Sequence, residues 1–393
     1  MNKIFKNTAA LFGSQLAGYA ISLLILPYIS RALGVSGFGE WSFSMNAMTY
    51  VAVILEFGFT LYGAKKIAES QNSAGEIAAN IYIAKITLAA LCFLIISILP
   101  SGIASTTVWY SAFFVSFAQS LSPIWLFQGF GLVRFIAIFT IAAQAVAALL
   151  IVLFVKTPSD IALTIQIYAF CFALSNIIAI IYAVKKFSIK ISPTKKFYTL
   201  YIDAKNIFLS NIAITIYVSM IGLVVGFTLN AKDAGEFFGA QKIVLIINAL
   251  FVPLSQALYP MCSQNKNAKF IQKLLLVAFV AVGFFCIILA ILSNQITLLI
   301  LGSQFNEAAT LLAICAFAPL FVALNTIMGT LGLIAFGYEK HMRQITVVAA
   351  IISAPLAFYL CSFGIFGAAI YIPLIEALVF VSLVYKTKKL GII

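Results

Sequence analysis

Charge is what this sequence has least of. Lysine, arginine, aspartate and glutamate together make up 9% of the 393 residues, whereas 63% are hydrophobic and the mean hydropathy is +1.11. A water-soluble globule needs more polar side chains than this to cover its surface. The shortage of charge therefore excludes a soluble domain and indicates an integral membrane protein.

Residues for enzyme chemistry are also scarce. His341 is the single histidine, no HExxH sequence or phosphate-binding glycine–lysine loop occurs, and no predicted loop holds two carboxylates. The six cysteines lie in or beside separate apolar runs, so neither a disulfide framework nor a metal site is predicted. Every predicted outer loop is short, which argues against a polymerase with a large external domain. We therefore expect a protein that is not an enzyme and has no cofactor.

Long apolar runs are what the chain has in abundance. About twelve of them, separated by charged residues, glycine or proline, reach the roughly 20 residues that an α-helix needs to cross a bilayer. They comprise residues 8–30, 40–63, 77–99, 105–128, 134–155, 161–184, 206–229, 236–259, 271–293, 305–336, 344–362 and 364–385. We predict an all-α integral membrane protein with about 12 transmembrane helices.

The basic residues of the connecting segments predict the orientation. Cationic loops resist translocation and stay in the cytoplasm. With the N-terminus inside, most of the 24 lysines and arginines fall on the cytoplasmic side, and only Arg31, Lys156 and Lys232 fall outside. We therefore expect both termini to be cytoplasmic (N-in/C-in), and topology accounts for most of the +13 net charge without nucleic acid as a partner.

A basic segment at residues 185–205 divides the apolar runs into two sets of six. Each set begins in the cytoplasm, so the two halves are predicted to be parallel repeats. The N-terminal lobe comprises residues 1–190, with helices 1–6 and the start of the basic linker. The C-terminal lobe comprises residues 191–393, with helices 7–12.

The stretch PYISRALGVSGFGEW, from Pro27 to Trp41, separates the first two apolar runs. A proline near a helix end removes a backbone donor where water can compensate, and glycine permits backbone conformations that a tight return requires. Gly34, Gly37 and Gly39 supply that freedom here. We predict that this stretch is the first external hairpin.

Several short elements resemble flippases of the Wzx type, which export polysaccharide repeat units and belong to the superfamily that includes multidrug extruders and the lipid II flippase. The elements are Asn7, Pro27, Arg31, Leu33 with Gly34, Phe38 with Gly39, Gly58 with Phe59, the Trp-x-x-Gln-Gly sequence from Trp125 to Gly129, the segment from Gly235 to Lys242, and Pro260. Many relatives carry an acidic residue before that tryptophan and another after the glycine. Here Ser122, Pro123 and Gly131 stand at those places, so roles given to these acids do not transfer.

The resemblance implies a fold and a function. Two parallel six-helix lobes would surround a central cavity, lined mainly by helices 1, 2, 7 and 8, that opens alternately to either side. The cargo would be an undecaprenyl-pyrophosphate-linked oligosaccharide, an O-antigen or similar repeat unit, moved to the periplasmic leaflet of the bacterial inner membrane. The implied partners are this lipid-linked oligosaccharide, membrane lipids, a polysaccharide polymerase and a chain-length regulator.

Ionisable residues inside the spans are candidates for the site, because inserting a charge at the bilayer centre costs roughly 2.5–3.5 kcal/mol. Lys242 and Arg31 are the candidate ligands of the pyrophosphate; the alternatives are snorkelling for Lys242 and headgroup anchoring for Arg31. Glu56 either couples transport to an H⁺ or Na⁺ gradient or forms an ion pair with Lys85. Glu376 has no evident partner in the sequence and receives no role.

Two other functions remain open from the sequence. A cation-coupled multidrug extruder of the same fold would need a carboxylate-rich cavity, whereas the candidates here include the cations Lys242 and Arg31. A membrane scaffold for glycan assembly, without transport, would lack a hydrated cleft.

Overall fold

The computed structural model describes residues 2–189 and 198–392, with side chains from residue 16 onward. In these residues the regular structure is entirely helical. The first eight α-helices are α1 (Asn2–Glu56), α2 (Phe59–Glu69), α3 (Ala74–Ile98), α4 (Thr106–Ser120), α5 (Ile124–Gly129), α6 (Val133–Phe154), α7 (Ile161–Lys186) and α8 (Thr199–Thr228). Short 3₁₀ helices at Gln71–Ser73 and Pro158–Asp160 precede α3 and α7.

The second half of the chain continues in the same way. Its helices are α9 (Ala231–Ala249), α10 (Phe251–Asn265), α11 (Ala268–Ile291), α12 (Ser293–Ile300), α13 (Ala308–Cys315), α14 (Ala318–Thr326), α15 (Glu339–Cys361) and α16 (Gly364–Lys389). A π-helical segment, Ile327–Ile334, extends α14. The prediction of an all-helical protein is thus confirmed for the described residues.

Ten helical stretches in the described residues are long and apolar enough to cross a membrane. One of them, Leu16–Glu69, has 54 residues, more than twice what one crossing needs. The pair α4 and α5 is missing from the ten, because Thr106–Ser120 has only 15 residues before the chain turns. The protein is therefore a multi-pass membrane protein, and its side chains agree: Ile98, Leu24 and Leu299 are 86%, 78% and 74% exposed.

The predicted first hairpin is mostly helical. The chain is helical on both sides of Gly34, which alone leaves helical geometry with φ 67° and ψ 175°. Only glycine adopts this region readily, since a Cβ would clash with the neighbouring backbone. Pro27 lies inside the helix, and Gly37 and Gly39 are helical. The external hairpin therefore stays a prediction, and the structure adds that the helix is interrupted within it at Gly34 alone.

Four of the predicted spans are not single helices. The span at 40–63 breaks at Phe57 and Gly58, which have positive φ angles of 44° and 80°. The span at 105–128 breaks before Pro123, the span at 236–259 breaks at Leu250, and the span at 305–336 begins only at Ala308 and is interrupted after Cys315. Apolar composition alone does not show these breaks, because each lies inside a run that is hydrophobic over most of its length.

The chain packs as two compact units. The first unit comprises Met1–Leu33 and Ser44–Thr215; the second comprises Gly34–Phe43 and Ile216–Ile393. Trp125, Phe59 and Ile81 are fully buried in the core of the first unit, and Met328 and Leu383 in that of the second. The boundary predicted between residues 190 and 191 lies outside the described residues, so the two lobes stay a prediction.

Candidate functional site

Glu56 occupies the break between α1 and α2. The two residues after it have positive φ angles, so α2 starts afresh and its first backbone N–H groups have no helical acceptor. Oε1 of Glu56 accepts a hydrogen bond from the backbone N–H of Thr60 at 2.7 Å. A carboxylate at a helix N-terminus also meets the positive end of the helix dipole. Glu56 is thus the side-chain cap of α2.

Lys85 on α3 is the partner of Glu56. Its Nζ lies 2.8 Å from Oε2 of Glu56 and donates a second hydrogen bond, 2.6 Å long, to the backbone oxygen of Ser120. Ser120 is the last residue of α4, where carbonyl oxygens lack helical donors and the helix dipole is negative. The lysine side chain is only 1% exposed. One buried ammonium group therefore links two helix breaks, at the end of α1 and at the end of α4.

A cavity of about 390 Å³ lies beside this ion pair in the first unit. Its lining residues come from α1, α4 and α8 and comprise Ala52, Val53, Glu56, Gln119, Ser120, Asn211, Ile214 and Thr215. The side-chain amides of Gln119 and Asn211 form no hydrogen bond with the residues that the structure describes. Each amide offers two donors and an acceptor oxygen. The cavity therefore presents hydrogen-bonding groups of α4 and α8 that no described residue occupies.

The charge on this cavity is balanced. Glu56 is the ionisable residue in its lining, and the ammonium of Lys85 compensates its carboxylate. Each carboxylate oxygen has one donor and keeps capacity for another. An uncharged ligand with several hydroxyl or amide groups could form hydrogen bonds with this lining. A single cation or anion would gain little electrostatic energy from the Glu56–Lys85 ion pair, because the two charges of the pair cancel.

Lys242 on α9 lies in the second unit, apart from Glu56 and Lys85. Its Nζ lies 5.0 Å from the ring centroid of Trp41, a cation–π contact. The lysine is half-buried and the indole is 7% exposed. Lys242 is absent from the ion pairs of the described residues. The aromatic ring therefore holds the ammonium in place without neutralising it.

Arg31 is exposed on α1, three residues before Gly34, and belongs to the first unit. Of the four site residues predicted from the sequence, the structure brings Glu56 and Lys85 into contact. It places Lys242 and Arg31 in different units. Their roles stay predictions.

Two further carboxylates were not recognised as partnered from the sequence. Glu376 on α16 accepts a hydrogen bond from the Tyr217 hydroxyl at Oε1 and from Asn325 Nδ2 at Oε2, the latter at 2.8 Å. Tyr217 lies 159 residues away and Asn325 lies 51 residues away. Neither residue is charged, so no charge pattern in the sequence could have paired them with Glu376.

Glu236, 1% exposed, is the second of these carboxylates. It accepts hydrogen bonds from the backbone N–H groups of Asn306, Glu307 and Ala308, at 3.0, 3.2 and 2.9 Å. These groups open α13, whose N-terminus would otherwise lack acceptors. Glu236 thus ties α9 to the start of α13 and has a structural role.

Cysteine and metal chemistry are not indicated by the geometry. All six cysteines are buried as free thiols. No group of three or more histidine, cysteine or acidic side chains in the described part of the chain could hold a metal ion.

Comparison with known proteins gives a family and a fold. The family model described as "Polysaccharide biosynthesis protein" matches residues 4–266. A candidate O-antigen transporter of Escherichia coli (strain K12) is 26% identical over 393 residues, which cover 95% of this chain and 94% of that protein. A candidate O-antigen transporter of Shigella dysenteriae is 25% identical over 389 residues, covering 95% and 97%.

Solved structures of the same fold include two transporters. The lipid II flippase MurJ, in its inward closed conformation, superposes with a TM-score of 0.76 at 14% identity, covering 98% of this chain and 87% of that chain. The MATE multidrug transporter DinF-BH gives a TM-score of 0.62 at 17% identity, covering 98% and 93%. At these identities the likeness shows the fold alone.

Proposed function

Because the chain belongs to the polysaccharide biosynthesis protein family, we propose that it is a flippase for a lipid-linked oligosaccharide. The family match confirms the resemblance to Wzx-type flippases, and the protein is a transporter, not an enzyme. The cargo we propose is an undecaprenyl-pyrophosphate-linked O-antigen or similar repeat unit. It would move from the cytoplasmic to the periplasmic leaflet of a bacterial inner membrane by alternating access.

The proposal keeps the predicted topology. Twelve membrane-spanning helices result if Gly34 divides the 54-residue stretch Leu16–Glu69 and if α4 with α5 forms one further span. The excess of basic residues on one side supports N-in/C-in, and the lobes 1–190 and 191–393 would each hold six helices. A polymerase and a chain-length regulator remain the proposed protein partners.

The observation that carries this proposal is the cavity beside Glu56, whose lining is neutral in charge and includes two side-chain amides. A glycan is uncharged over most of its surface and dense in hydroxyl groups, which side-chain amides and carboxylates bind through paired hydrogen bonds. Gln119 and Asn211 present such amides without partners among the described residues. We propose that these two side chains contact the oligosaccharide. A cavity of about 390 Å³ is within the range of small-molecule sites, roughly 300–1,000 Å³.

The pyrophosphate requires a different environment. An anion carried through a low-dielectric region needs a cation or several donors, since unpaired charge there is costly. Lys242, which the described structure pairs with an aromatic ring and with no carboxylate, is our proposed contact for it. Arg31, exposed near the end of the first part of α1, is a separate proposed contact through its guanidinium fork.

The test is flipping by the purified protein in proteoliposomes. The measurement follows the accessibility of a pyrophosphate-linked oligosaccharide in each leaflet, with protein-free vesicles as the baseline. We expect wild-type protein to accelerate exchange. Gln119→Ala and Asn211→Ala should each slow it roughly 3- to 10-fold, the value of about one neutral hydrogen bond. Gln166→Ala, which removes an amide elsewhere in the first unit, is the matched control and should leave the rate unchanged.

A sugar-free undecaprenyl pyrophosphate tests the proposed glycan contacts and the proposed pyrophosphate contact separately. The Gln119 and Asn211 variants should move it at the wild-type rate, whereas Lys242→Gln should slow both lipids by about tenfold or more, as for loss of a charged hydrogen bond. Lys232→Gln, at the exposed start of α9, controls for a general loss of charge. No acceleration by wild-type protein with several lipid-linked glycans would refute the proposal and favour the extruder or the scaffold.

A further inference from the structure

Two intramembrane carboxylates differ in their partners. Glu56 is compensated by the ammonium of Lys85 at 2.8 Å. Glu376 on α16 receives its hydrogen bonds from a phenol and an amide, both neutral, and takes part in none of the described ion pairs. An acidic residue in a membrane span is costly unless it is paired, neutralised or in contact with water. Glu376 is therefore a carboxylate that no cation compensates in the described ion pairs, and its donors are side chains, whereas those of Glu236 are backbone N–H groups.

The helices packed against α16 do not change this. The elements that pack on it are α9, α13, α14, the π-helical segment and α15, and their cations are Lys232 and Lys242 on α9 and Lys340 and Arg343 on α15. None of these four residues forms an ion pair with Glu376 in the part of the chain described. The remaining charged or titratable side chains on these elements are Asp233, Glu236, Cys315, Glu339, His341, Tyr359 and Cys361, and the titratable group in contact with the carboxylate is Tyr217. Among the described residues, the surroundings of Glu376 thus contain hydrogen-bond donors but no counter-ion.

The carboxylate is connected to an irregular part of the second unit. Asn325, 8% exposed, donates from Nδ2 to both Oε2 and the backbone oxygen of Glu376, at 2.8 and 3.0 Å, and its Oδ1 is buried without a partner. The π-helical segment begins at Ile327, two residues later. Such segments are rare and often occur at functional sites. A change of charge on Glu376 would therefore alter its hydrogen bond with Asn325, next to the point where α14 becomes a π-helix.

The hydrogen bonding of α16 is interrupted close to Glu376. Pro373 has no backbone N–H, so the carbonyl oxygen of Ala369 lacks its helical donor. The thiol of Cys315 on α13 donates to that oxygen at 3.4 Å. The segment that carries Glu376 thus depends on side chains of neighbouring helices for part of its hydrogen bonding. This arrangement permits a local adjustment when the carboxylate changes state.

We propose that Glu376, with Tyr217 and Asn325, forms a reversible proton-binding site in the second unit, and that its protonation couples transport to a proton gradient. The proton would pass from water to a carboxylate oxygen and return to water on release, with no other bond formed or broken. Glu376 is half-buried, so part of its side chain lies at the surface of the described structure. The hydroxyl of Tyr217 can turn from donating to accepting when the carboxyl group carries the proton. The coupling part of this inference rests on the proposed function.

A proton fits this site better than a metal ion. Both neighbours direct hydrogen atoms at the carboxylate, the phenol through its O–H and the amide through its N–H. A sodium ion binds to lone pairs instead, and the hydrogen atoms of these two groups occupy positions at the carboxylate oxygens that such an ion would need.

The first experiment measures proton binding without transport. Infrared difference spectra between low and high pH are recorded on the full-length protein in lipid vesicles with no cargo. We expect a protonated-carboxyl band in wild type that is lost in Glu376→Gln and retained in Glu56→Gln. Glutamine keeps the shape and the hydrogen-bonding capacity of Glu376. A band unchanged in Glu376→Gln overturns the proposal, as does a spectrum that responds to Na⁺ at fixed pH and not to pH.

A second variant, Tyr217→Phe, tests the same site if Glu376→Gln fails to fold. Tyr217→Phe removes one hydrogen bond to the carboxyl group without changing charge, and it should shift the frequency of the same band. An unshifted band would show that the titrating group is elsewhere.

The second experiment measures coupling. Flipping rates are compared with an imposed proton gradient and after its collapse. The ratio of the two rates should differ from one in wild type and fall to one in Glu376→Gln. If the flipping rate of the Glu376→Gln variant still depends on the proton gradient, Glu376 does not couple transport to that gradient. Should wild type show no flipping at all, the proposed function fails while the infrared band still decides the proton site.

Discussion

Lys85 shows how a single side chain stabilises two interrupted helices. Its ammonium compensates the carboxylate that caps α2 and also binds the last carbonyl oxygen of α4. Both acceptors lie at helix ends, where the backbone needs partners that the helix itself does not provide. The sequence suggested an ion pair between Glu56 and Lys85, but the role of Ser120 depends on the fold.

We expect Lys85→Met to destabilise the protein by about 1–3 kcal/mol, since it leaves the partly exposed carboxylate of Glu56 without its cation and the carbonyl oxygen of Ser120 without its donor. Thermal unfolding in detergent, followed by circular dichroism, measures the loss. The double variant Glu56→Gln with Lys85→Met should recover most of it, because no unpaired charge then remains. If the single variant unfolds at the wild-type temperature, the pair contributes nothing to stability.

At the scale of helices, glycine decides where α1 changes course and how closely it packs. Gly34 alone leaves helical geometry within Asn2–Glu56, with a backbone conformation that other residues rarely adopt. Five residues later, Gly39 lies against the backbone of α9 in the second unit. A Cβ on Gly39 would stand 2.7 Å from the backbone nitrogen of Gly235 and closer still to the oxygen of Ala231.

Gly34→Ala should cost about 1–3 kcal/mol of stability, because alanine would have to hold a φ of 67° with ψ near 180°. Gly283→Ala on α11 is the control: a Cβ there meets no atom within 4 Å, and alanine favours a helix by up to about 1 kcal/mol. Denaturation of both variants beside wild type tests the comparison. Equal stability of the two would show that the bend at Gly34 is not glycine-dependent.

Gly39→Ala should also destabilise the protein, for a different reason. The methyl group would collide with backbone atoms of α9, and overpacking of this kind costs about 1–3 kcal/mol. Unfolding measurements against the same Gly283→Ala control test this. A neutral Gly39→Ala would mean that the two helices separate without loss.

At the scale of the whole molecule, the distribution of basic residues predicts which ends face the cytoplasm. The six native cysteines are buried, so single introduced cysteines can be labelled against a low background. Lys156 lies in a predicted outer loop and Lys388 near the predicted cytoplasmic end of α16.

A membrane-impermeant maleimide should label Lys156→Cys in intact cells and label Lys388→Cys only after permeabilisation. The positive-inside bias is the physical reason, since cationic segments resist translocation. The reverse pattern would contradict the N-in/C-in topology.

The sequence by itself determined the class of protein and most of its helices. Long apolar runs with little charge have few stable solutions other than membrane-spanning helices, because each backbone polar group must be satisfied within its own segment. Local composition carries that information. The sequence also supplied the motifs that indicated the polysaccharide family, and it singled out Glu56 and Lys85 as a potential pair.

Only the tertiary structure decided where helices break and which polar groups meet. Gly34 was one of three equivalent glycines in the sequence, and the bend falls on it alone. Tyr217 and Asn325 reach Glu376 from positions 159 and 51 residues away, and both are uncharged. Contacts between side chains far apart in the chain depend on how helices pack, and no local pattern of residues records that packing.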